Sequence, residues 1–150
     1  PGKIEVVNGF NQGNVKSKGW IAGGIVGFEY AEATVNNCYN IGNITTEGTI
    51  VADVRSKGIG GTYINNCYNI GNLQSIRACY AIGDKTINNC YYNAILVGEV
   101  EDVGNIEDIS QLDEKEFVNI LNSYINEGEQ TYPTDWKKWK LGEEGYPVFE

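Results

Sequence analysis

The thiols of four cysteines are the side chains of this sequence that are best suited to redox or metal chemistry. Cys38, Cys67, Cys79 and Cys90 each stand directly before a tyrosine. An even number of cysteines in an extracellular protein normally indicates disulfides, and closely spaced thiolates bind zinc. These cysteines are well separated in the sequence, and the chain contains no histidine. We therefore expect no zinc site and no other cofactor.

The absence of histidine also limits catalysis, because it removes the commonest general base and the usual partner of a nucleophilic serine or cysteine. A pair of carboxylates, as glycosidases use, is the strongest catalytic alternative. The chain lacks the aspartate-rich loop of calcium sites, and we expect its acidic residues to form a solvated surface. The candidate acids are scattered along the chain: Glu29, Glu32, Glu47, Asp53, Asp84, Glu99, Glu101 and Asp102.

An internal repeat sets the positions of the cysteines and tyrosines. The octapeptide Asn-Asn-Cys-Tyr-Asn-Ile-Gly-Asn at residues 36–43 recurs unchanged at residues 65–72. Residues 8–15 align one period further upstream, with Phe10 in place of the tyrosine, and shorter copies surround Cys79 and Cys90. A period of about 20–50 residues indicates one structural unit that is stacked on copies of itself.

The repeat predicts a mainly β protein in which residues 1–100 form a parallel β-solenoid of about 29-residue repeats. Short strands between Gly/Asn turns allow identical segments to pair in register. Asparagine suits the corners, because it tolerates a left-handed backbone and its amide can bond to the next coil. Stacked strands lie about 4.8 Å apart, whereas a disulfide needs Cβ atoms about 3.8 Å apart. We therefore expect the four cysteines to form a buried ladder of reduced thiols.

Strand alternation leaves two alternatives for the aromatic residues. If the cysteines point inward, Tyr39, Tyr68 and Tyr91 point outward and form a flat strip that could stack on a sugar or a protein. The opposite register would place the tyrosines in the core. We favour a purely structural ladder over a ligand-binding strip. Trp136 and Trp139, which stand among lysines, form a second candidate binding patch; a place in a C-terminal core is the favoured alternative.

The sequence pattern of residues 101–150 predicts a structural unit that differs from the repeats. Apolar residues at helical spacing indicate an amphipathic helix at about residues 111–126, with Ser110 as its expected N-cap. An aromatic tail that includes Gly-Tyr-Pro-Val-Phe follows. Because an open sheet edge recruits other chains, we expect this unit to be a C-terminal cap that covers the last coil.

The charge balance restricts the partners. Eleven Lys and Arg against 20 Asp and Glu give a net charge of −9, which argues against nucleic acid and anionic membranes. No run approaches the roughly 18 apolar residues needed to cross a bilayer. The first residues lack the features of a signal peptide, and we expect the chain to be part of a longer protein.

The segment Ala-Gly-Gly-Ile-Val-Gly at residues 22–27, followed by the motif at residues 36–43, resembles the GLUG repeat. This repeat occurs in bacterial surface adhesins and in non-catalytic regions of metallopeptidases that cleave immunoglobulin A. The resemblance covers about residues 8–93 and implies a secreted or cell-surface bacterial protein with a β-solenoid scaffold. Residues 48–56, one period after the glycine-rich segment, keep its apolar residues but lose its glycines.

These observations predict a non-catalytic scaffold or adhesive module whose partner is a glycan or a host or matrix protein. We expect no binding of nucleic acid and no membrane insertion. The alternative is a carbohydrate-active β-helix enzyme that uses paired carboxylates.

Overall fold

The computed structural model describes residues 2–27, 32–48, 54–83, 86–101, 106–128 and 135–150, and in these ranges the chain is mainly β. The strands are β1 (Ile4–Val7), β2 (Phe10–Asn11), β3 (Val15–Ser17), β4 (Ile21–Ile25), β5 (Ala33–Asn36), β6 (Tyr39–Asn40), β7 (Ile44–Thr46), β8 (Arg55–Ile59), β9 (Tyr63–Asn65), β10 (Tyr68–Asn69), β11 (Leu73–Ser75), β12 (Ala78–Ile82), β13 (Thr86–Asn88), β14 (Cys90–Tyr92), β15 (Ile106–Asp108), β16 (Trp139–Leu141) and β17 (Pro147–Phe149). The helices are α1 (Ala94–Val97) and α2 (Glu114–Gly128).

The strands from β1 to β15 pair in parallel and form four sheets in the described part of the chain. Sheet A has the order β1-β5-β9-β13, and sheet B has the order β15-β14-β10-β6-β2. Sheet C contains β11-β7-β3, and sheet D contains β12-β8-β4. The chain therefore visits sheets A, B, C and D in turn and then returns to sheet A. We call each such set of strands a rung, and this order is consistent with a β-solenoid.

The register within sheet B confirms the predicted parallel stacking of equivalent residues. Tyr39 lies opposite Phe10 on one side and Tyr68 on the other, and Tyr68 lies opposite Tyr91. Identical side chains thus form columns that run from rung to rung, as in-register parallel pairing requires.

Asparagine columns hold the corners between sheets A and B, as the sequence predicts. Asn37 and Asn66 have left-handed backbones with a φ of 52°, and the φ of Asn89 is 48°. Their amides form a chain of hydrogen bonds, since Asn89 donates to Asn66 at 2.7 Å, and Asn66 donates to Asn37 at 2.8 Å. Asn37 in turn donates to Asn8 at 2.7 Å. Further columns join Asn36, Asn65 and Asn88, and Asn11, Asn40 and Asn69.

The glycine of each repeat has a different role from the asparagines. A Cβ atom added to Gly71 would collide with the carbonyl oxygen of Gly42, and one added to Gly42 would collide with the carbonyl oxygen of Gly13. Neither Gly42 nor Gly71 has a positive φ. These glycines are therefore required by the close approach of successive rungs.

Sheet D differs from the register that the sequence predicts. Ile25 of β4 lies opposite Ile59 of β8, so β8 is the equivalent of the glycine-rich segment, and the assignment of residues 48–56 was wrong. The glycine is also kept, because Gly58 packs beside Gly24. The connection from β7 to β8 is longer than the one from β3 to β4, and this insertion shifts the sequence match.

Two clusters of buried apolar side chains join the sheets to one another. Each fully buried Val or Ile side chain stabilises the fold by about 1.5–3 kcal/mol. The first cluster connects sheets A, B and D and contains Ile25, Val35, Cys38, Ile59, Ile64, Cys67, Ile82, Ile87 and Cys90. The second connects sheets C and D with α1 and contains Ala22, Ile44, Leu73, Cys79, Ala81 and Val97.

The long helix begins later than the sequence predicts. Asp113 is the N-cap of α2, because its carboxylate accepts the N–H groups of Lys115 at 3.0 Å and Glu116 at 3.1 Å. Ser110, the predicted N-cap, instead donates its hydroxyl to Asp108 at 2.8 Å. The helix therefore spans Glu114–Gly128 and not residues 111–126.

The helix α2 and residues 135–150, which we call the C-terminal flank, lie along the outer face of sheet B. Asn8 in the first rung donates to the carbonyl of Asp135 at 2.7 Å, while Tyr91 near the other end of the sheet contacts Phe117 of α2. The antiparallel pair β16–β17 belongs to this flank. The edge of sheet B beside β14 is occupied by β15.

Candidate functional site

The tyrosine column is buried, and the structure therefore contradicts an exposed aromatic strip. Tyr39, Tyr68 and Tyr91 are only 3%, 0% and 4% exposed. The rings of Tyr39 and Tyr68 stack with centroids 5.3 Å apart. They do point away from the cysteines, but Phe117 and Trp139 of the C-terminal flank cover them. The outward face of sheet B thus forms a third buried cluster, which joins this sheet to the C-terminal flank.

Burial perturbs the phenol groups in this core. Burial, and to a lesser degree the charge of Glu107, raises the pKa of Tyr91 to about 12. Burial also raises the pKa of Tyr68 well above its ordinary value, and the Tyr68 hydroxyl donates to the carbonyl of Pro147. These groups remain neutral at physiological pH, and both pack within this core.

The two tryptophans also lie inside the protein and do not form a surface patch. Trp139 is 1% exposed, and its indole N–H donates to Asn37 Oδ1 at 2.8 Å. Trp136 is buried and stacks on Tyr124. Lys137, Lys138 and Lys140, which stand among them, remain exposed.

Three of the four cysteines form the predicted column, and the fourth lies elsewhere. The sulfur of Cys67 accepts the N–H of Cys38 at 3.3 Å and donates its proton to the carbonyl of Asn65 at 3.1 Å. Cys90 makes the corresponding bond to Asn88. Cys79 instead lies in sheet D, opposite Ser56. All four thiols are free and buried, and burial raises the pKa of the Cys67 thiol well above its usual range.

The candidate carboxylates are dispersed, with one exception. Glu32 pairs with Lys3 at 3.0 Å, and Glu47 pairs with Lys16 at 2.7 Å. Among the residues that the structure describes, no group of three or more His, Cys, Asp or Glu side chains is placed to hold a metal ion. The candidates Glu29, Asp53, Asp84 and Asp102 lie outside the described residues.

Glu99 and Glu101 are the exception, because both line one polar groove of about 470 Å³ beside sheets C and D. Arg77 and Ser75 line the same groove, and the buried Cys79 is at its wall. This is the place in the described structure where two of the candidate acids share a groove with a cationic side chain.

A second groove, of about 320 Å³, lies between α1, the start of α2 and the turn before β17. We call it the α1–α2 groove. The apolar part of its wall is formed by Ile95, Leu96, Ile109, Leu112 and Phe117. Its other lining residues are Asn93, Ser110, Glu114, Gly145, Tyr146 and Pro147.

The helix α1 presents unusually exposed apolar residues to this groove. Asn93 caps the helix by accepting the N–H groups of Ile95 and Leu96 at 3.1 and 3.2 Å. Val97 is its buried residue, whereas Ile95 is 70% and Leu96 is 39% exposed. Such an exposed apolar pair is informative, since surfaces of soluble proteins more often leave large apolar residues isolated.

Hydrogen bonds to Asp108 fix the wall of the α1–α2 groove. The Asp108 carboxylate accepts the N–H groups of Ala94 at 3.0 Å and Ser110 at 2.9 Å. Burial alone would raise the pKa of Asp108, but these bonds and the one from the Ser110 hydroxyl outweigh it and lower the pKa. Asp108 is therefore ionised and ties α1 to the segment that precedes α2.

Sequence reasoning missed the α1–α2 groove because its walls come from three separate parts of the chain. The available signal was the run Asn93-Ala94-Ile95-Leu96-Val97, which places an N-capping residue before four apolar residues just after the last repeat. A capping residue before such a run predicts a short helix with more apolar surface than one core can bury.

These features define a mainly β protein with parallel, in-register sheets and a helical flank. No family model matches the chain, and no curated protein matches it. The chain is similar to a solved Bacteroides ovatus structure named "putative immunoglobulin A1 protease", with a TM-score of 0.50 and 20% sequence identity over 97% of this chain. It spans 57% of the length of that protein, so the likeness concerns the fold alone.

The resemblance to the GLUG repeat therefore stays a hypothesis. None of the helices in the described ranges combines the length and apolar character that crossing a membrane requires.

Proposed function

We propose that this chain is a non-catalytic scaffold or adhesive module of a secreted or cell-surface bacterial protein. In this proposal residues 1–100 form closed coils of a GLUG-type β-solenoid, and the C-terminal flank stiffens it. One observation carries the proposal: the side chains that could take part in catalysis or binding make contacts between rungs instead. The Cys67 sulfur accepts the N–H of Cys38 in the neighbouring rung, Tyr68 stacks on Tyr39, and Asn66 bridges Asn37 and Asn89.

The same observation supports a passive role over a catalytic one. Reactive groups in active sites are exposed to a cleft and have a pKa matched to proton transfer or nucleophilic attack. Here burial raises the pKa of Cys67 and of Tyr68. Both groups are thereby held in their neutral and least reactive forms.

A binding assay on intact ligands tests the adhesive role. The folded protein is applied to an array of glycans and matrix proteins, with urea-unfolded protein as the control for nonspecific adsorption. We expect saturable binding to one class of ligand without chemical change in that ligand. Equal signals from folded and unfolded protein across the array would refute an adhesive role.

The alternative proposal is a carbohydrate-active enzyme that uses Glu99 and Glu101. It is favoured by their shared groove with Arg77, since hydrolysis of glycosides requires two carboxylates. The test is release of reducing sugars from a panel of polysaccharides by the wild type, by Glu99→Gln and by Glu101→Gln, with Glu47→Gln as the matched surface control. Turnover lost in the first two variants and kept in the third would favour the enzyme. Absence of turnover in the wild type would refute it on that panel.

A further inference from the structure

We propose that the α1–α2 groove docks a peptide segment of another protein, in which a branched apolar side chain stands next to lysine or arginine. This inference rests on the proposed function as a non-catalytic binding module and names the chemistry of its partner. It follows from three properties of the groove: its exposed apolar wall, its acidic surroundings and the fixed position of that wall.

The apolar wall calls for an apolar anchor. Ile95 and Leu96 stand side by side in α1, and Ile109 and Leu112 continue the same wall. Val97 is the buried side chain of α1, so this helix packs on the core without Ile95, which is 70% exposed. Transfer of apolar surface from water is favourable at about 25 cal/mol per Å², so a branched aliphatic side chain is the natural occupant.

The charges around the groove call for a cationic partner. Glu114 lines the groove, and its carboxylate packs against Gly145. Glu143 and Glu144 precede Gly145 and are exposed. Lysine or arginine beside the apolar anchor would complement this field and accelerate association.

The same charges disfavour a second copy of this chain as the occupant. A second copy of this chain carries the same net charge of −9, and like charges brought together at an interface cost several kcal/mol. The apolar wall and acidic rim together therefore fit a basic, aliphatic peptide.

The wall is also fixed before any partner arrives. Asp108 ties α1 to the segment before α2 through the N–H groups of Ala94 and Ser110, and Asp113 caps α2. A preformed wall avoids part of the ordering cost of binding. We therefore expect measurable affinity even for a short peptide.

The test uses the intact protein, labelled with ¹⁵N, and the synthetic peptide acetyl-Gly-Lys-Leu-Arg-Leu-Lys-Gly-amide as the probe. Two matched peptides replace every Lys and Arg by Glu, or every Leu by Ser. We expect the probe to shift the amide signals of Ile95, Leu96, Ser110 and Gly145 in a saturable way. Both matched peptides should bind at least tenfold more weakly, and added salt should weaken the binding of the probe.

Three protein variants locate the site. Ile95→Ser and Glu114→Gln should each weaken binding of the probe at least threefold. Ile76→Ser is the control, since Ile76 is 63% exposed outside the α1–α2 groove, and it should bind like the wild type. Unchanged circular dichroism spectra and melting temperatures show that each variant is folded.

Shifts confined to other residues, equal binding of the acidic peptide, or unchanged affinity in Ile95→Ser would each overturn the inference. The array assay separates this failure from failure of the proposed function. Wild-type array binding that Ile95→Ser retains in full would overturn the groove as the docking site while the adhesive role stands. Probe binding at the groove with no array binding would support the inference and refute the adhesive role on that array.

Discussion

Replacement of Asn66 by alanine tests whether the asparagine columns stabilise the stacked rungs. The Asn66 side chain is fully buried and takes part in three hydrogen bonds. Its amide donates to Asn37 at 2.8 Å and to the carbonyl of Leu121 at 3.3 Å, and its oxygen accepts from Asn89 at 2.7 Å. Its backbone also has a φ of 52°.

The expected loss of stability follows from these two features. Each neutral hydrogen bond contributes about 1 kcal/mol net, so three contribute about 3 kcal/mol. A left-handed backbone costs an ordinary residue about 1–2 kcal/mol. We therefore expect Asn66→Ala to lower the free energy of unfolding by about 4 kcal/mol, a large part of the 5–15 kcal/mol typical of a domain.

Asn40 provides a matched control with a different backbone. It is also fully buried and takes part in three side-chain hydrogen bonds, with Asn11, Gly42 and Asn69, but its φ is not positive. Glycine adopts a left-handed backbone without strain. At either position it lowers the free energy of unfolding by about 0.4–1 kcal/mol, because it raises the conformational entropy of the unfolded chain. Relative to alanine, glycine should therefore be more favourable at Asn66 than at Asn40 by about 1–2 kcal/mol.

Urea unfolding monitored by tryptophan fluorescence measures these free energies for the wild type and the four variants. Because the comparison subtracts glycine from alanine at each position, the hydrogen-bond and chain-entropy contributions cancel. A difference between the two positions below about 0.5 kcal/mol would refute the assigned backbone strain, given the uncertainty of such extrapolations. A loss below about 1 kcal/mol in Asn66→Ala would refute the role of the column.

Three further predictions concern the stacking and the buried groups. Gly71→Ala should lower the free energy of unfolding by about 1–3 kcal/mol or prevent folding, because the new Cβ meets the carbonyl of Gly42. Gly13→Ala should be tolerated, since the nearest contact of its new Cβ is 3.7 Å away. Equal losses of stability for the two variants in urea unfolding would contradict this. The pKa of Tyr91 is raised to about 12, so the folded protein keeps the phenol proton that the unfolded chain loses near pH 10. The free energy of unfolding should therefore fall from about pH 10 to 12. An equally steep fall in Tyr91→Phe would contradict this assignment to Tyr91. The Cys67 thiol should react with iodoacetamide only after unfolding, as mass spectrometry of alkylated peptides would show; labelling of the native protein at pH 8 would disprove its burial.

The stacking of the rungs could be predicted because it depends on the sequence repeat itself. Identical segments pair best with themselves, so the recurrence of residues 36–43 at 65–72 predicted that Tyr39 would lie opposite Tyr68. The left-handed corners followed from the conformational tolerance of asparagine and were confirmed at Asn37 and Asn66. Both predictions use local chemistry that the repeat multiplies.

The position of Cys79 could not be predicted from its neighbours. Cys79-Tyr80 has the same letters as Cys38-Tyr39, yet it belongs to sheet D because the connection from β11 to β12 is much shorter than the one from β7 to β8. A dipeptide does not reveal the length of the connection before it. The register of Cys79 with Ser56 depends on that length and not on the dipeptide.

The burial of the tyrosines and the α1–α2 groove depend on contacts between distant parts of the chain. Trp139 bonds to Asn37 across about one hundred residues, and no periodic pattern encodes such a contact. Helix spacing predicted that one face of α2 would be buried, but it did not say against which surface. That surface proved to be the column of Tyr39, Tyr68 and Tyr91.

The contact between the first rung and the C-terminal flank determines how this segment would carry a mechanical load. Phe10 lies against Phe149, and Asn8 bonds to the backbone of Asp135 and Lys137. Tension applied at the two ends would thus enter and leave the protein at the same rung. Under such tension these contacts would be loaded before the rungs behind them, and the flank would shield the stack from force.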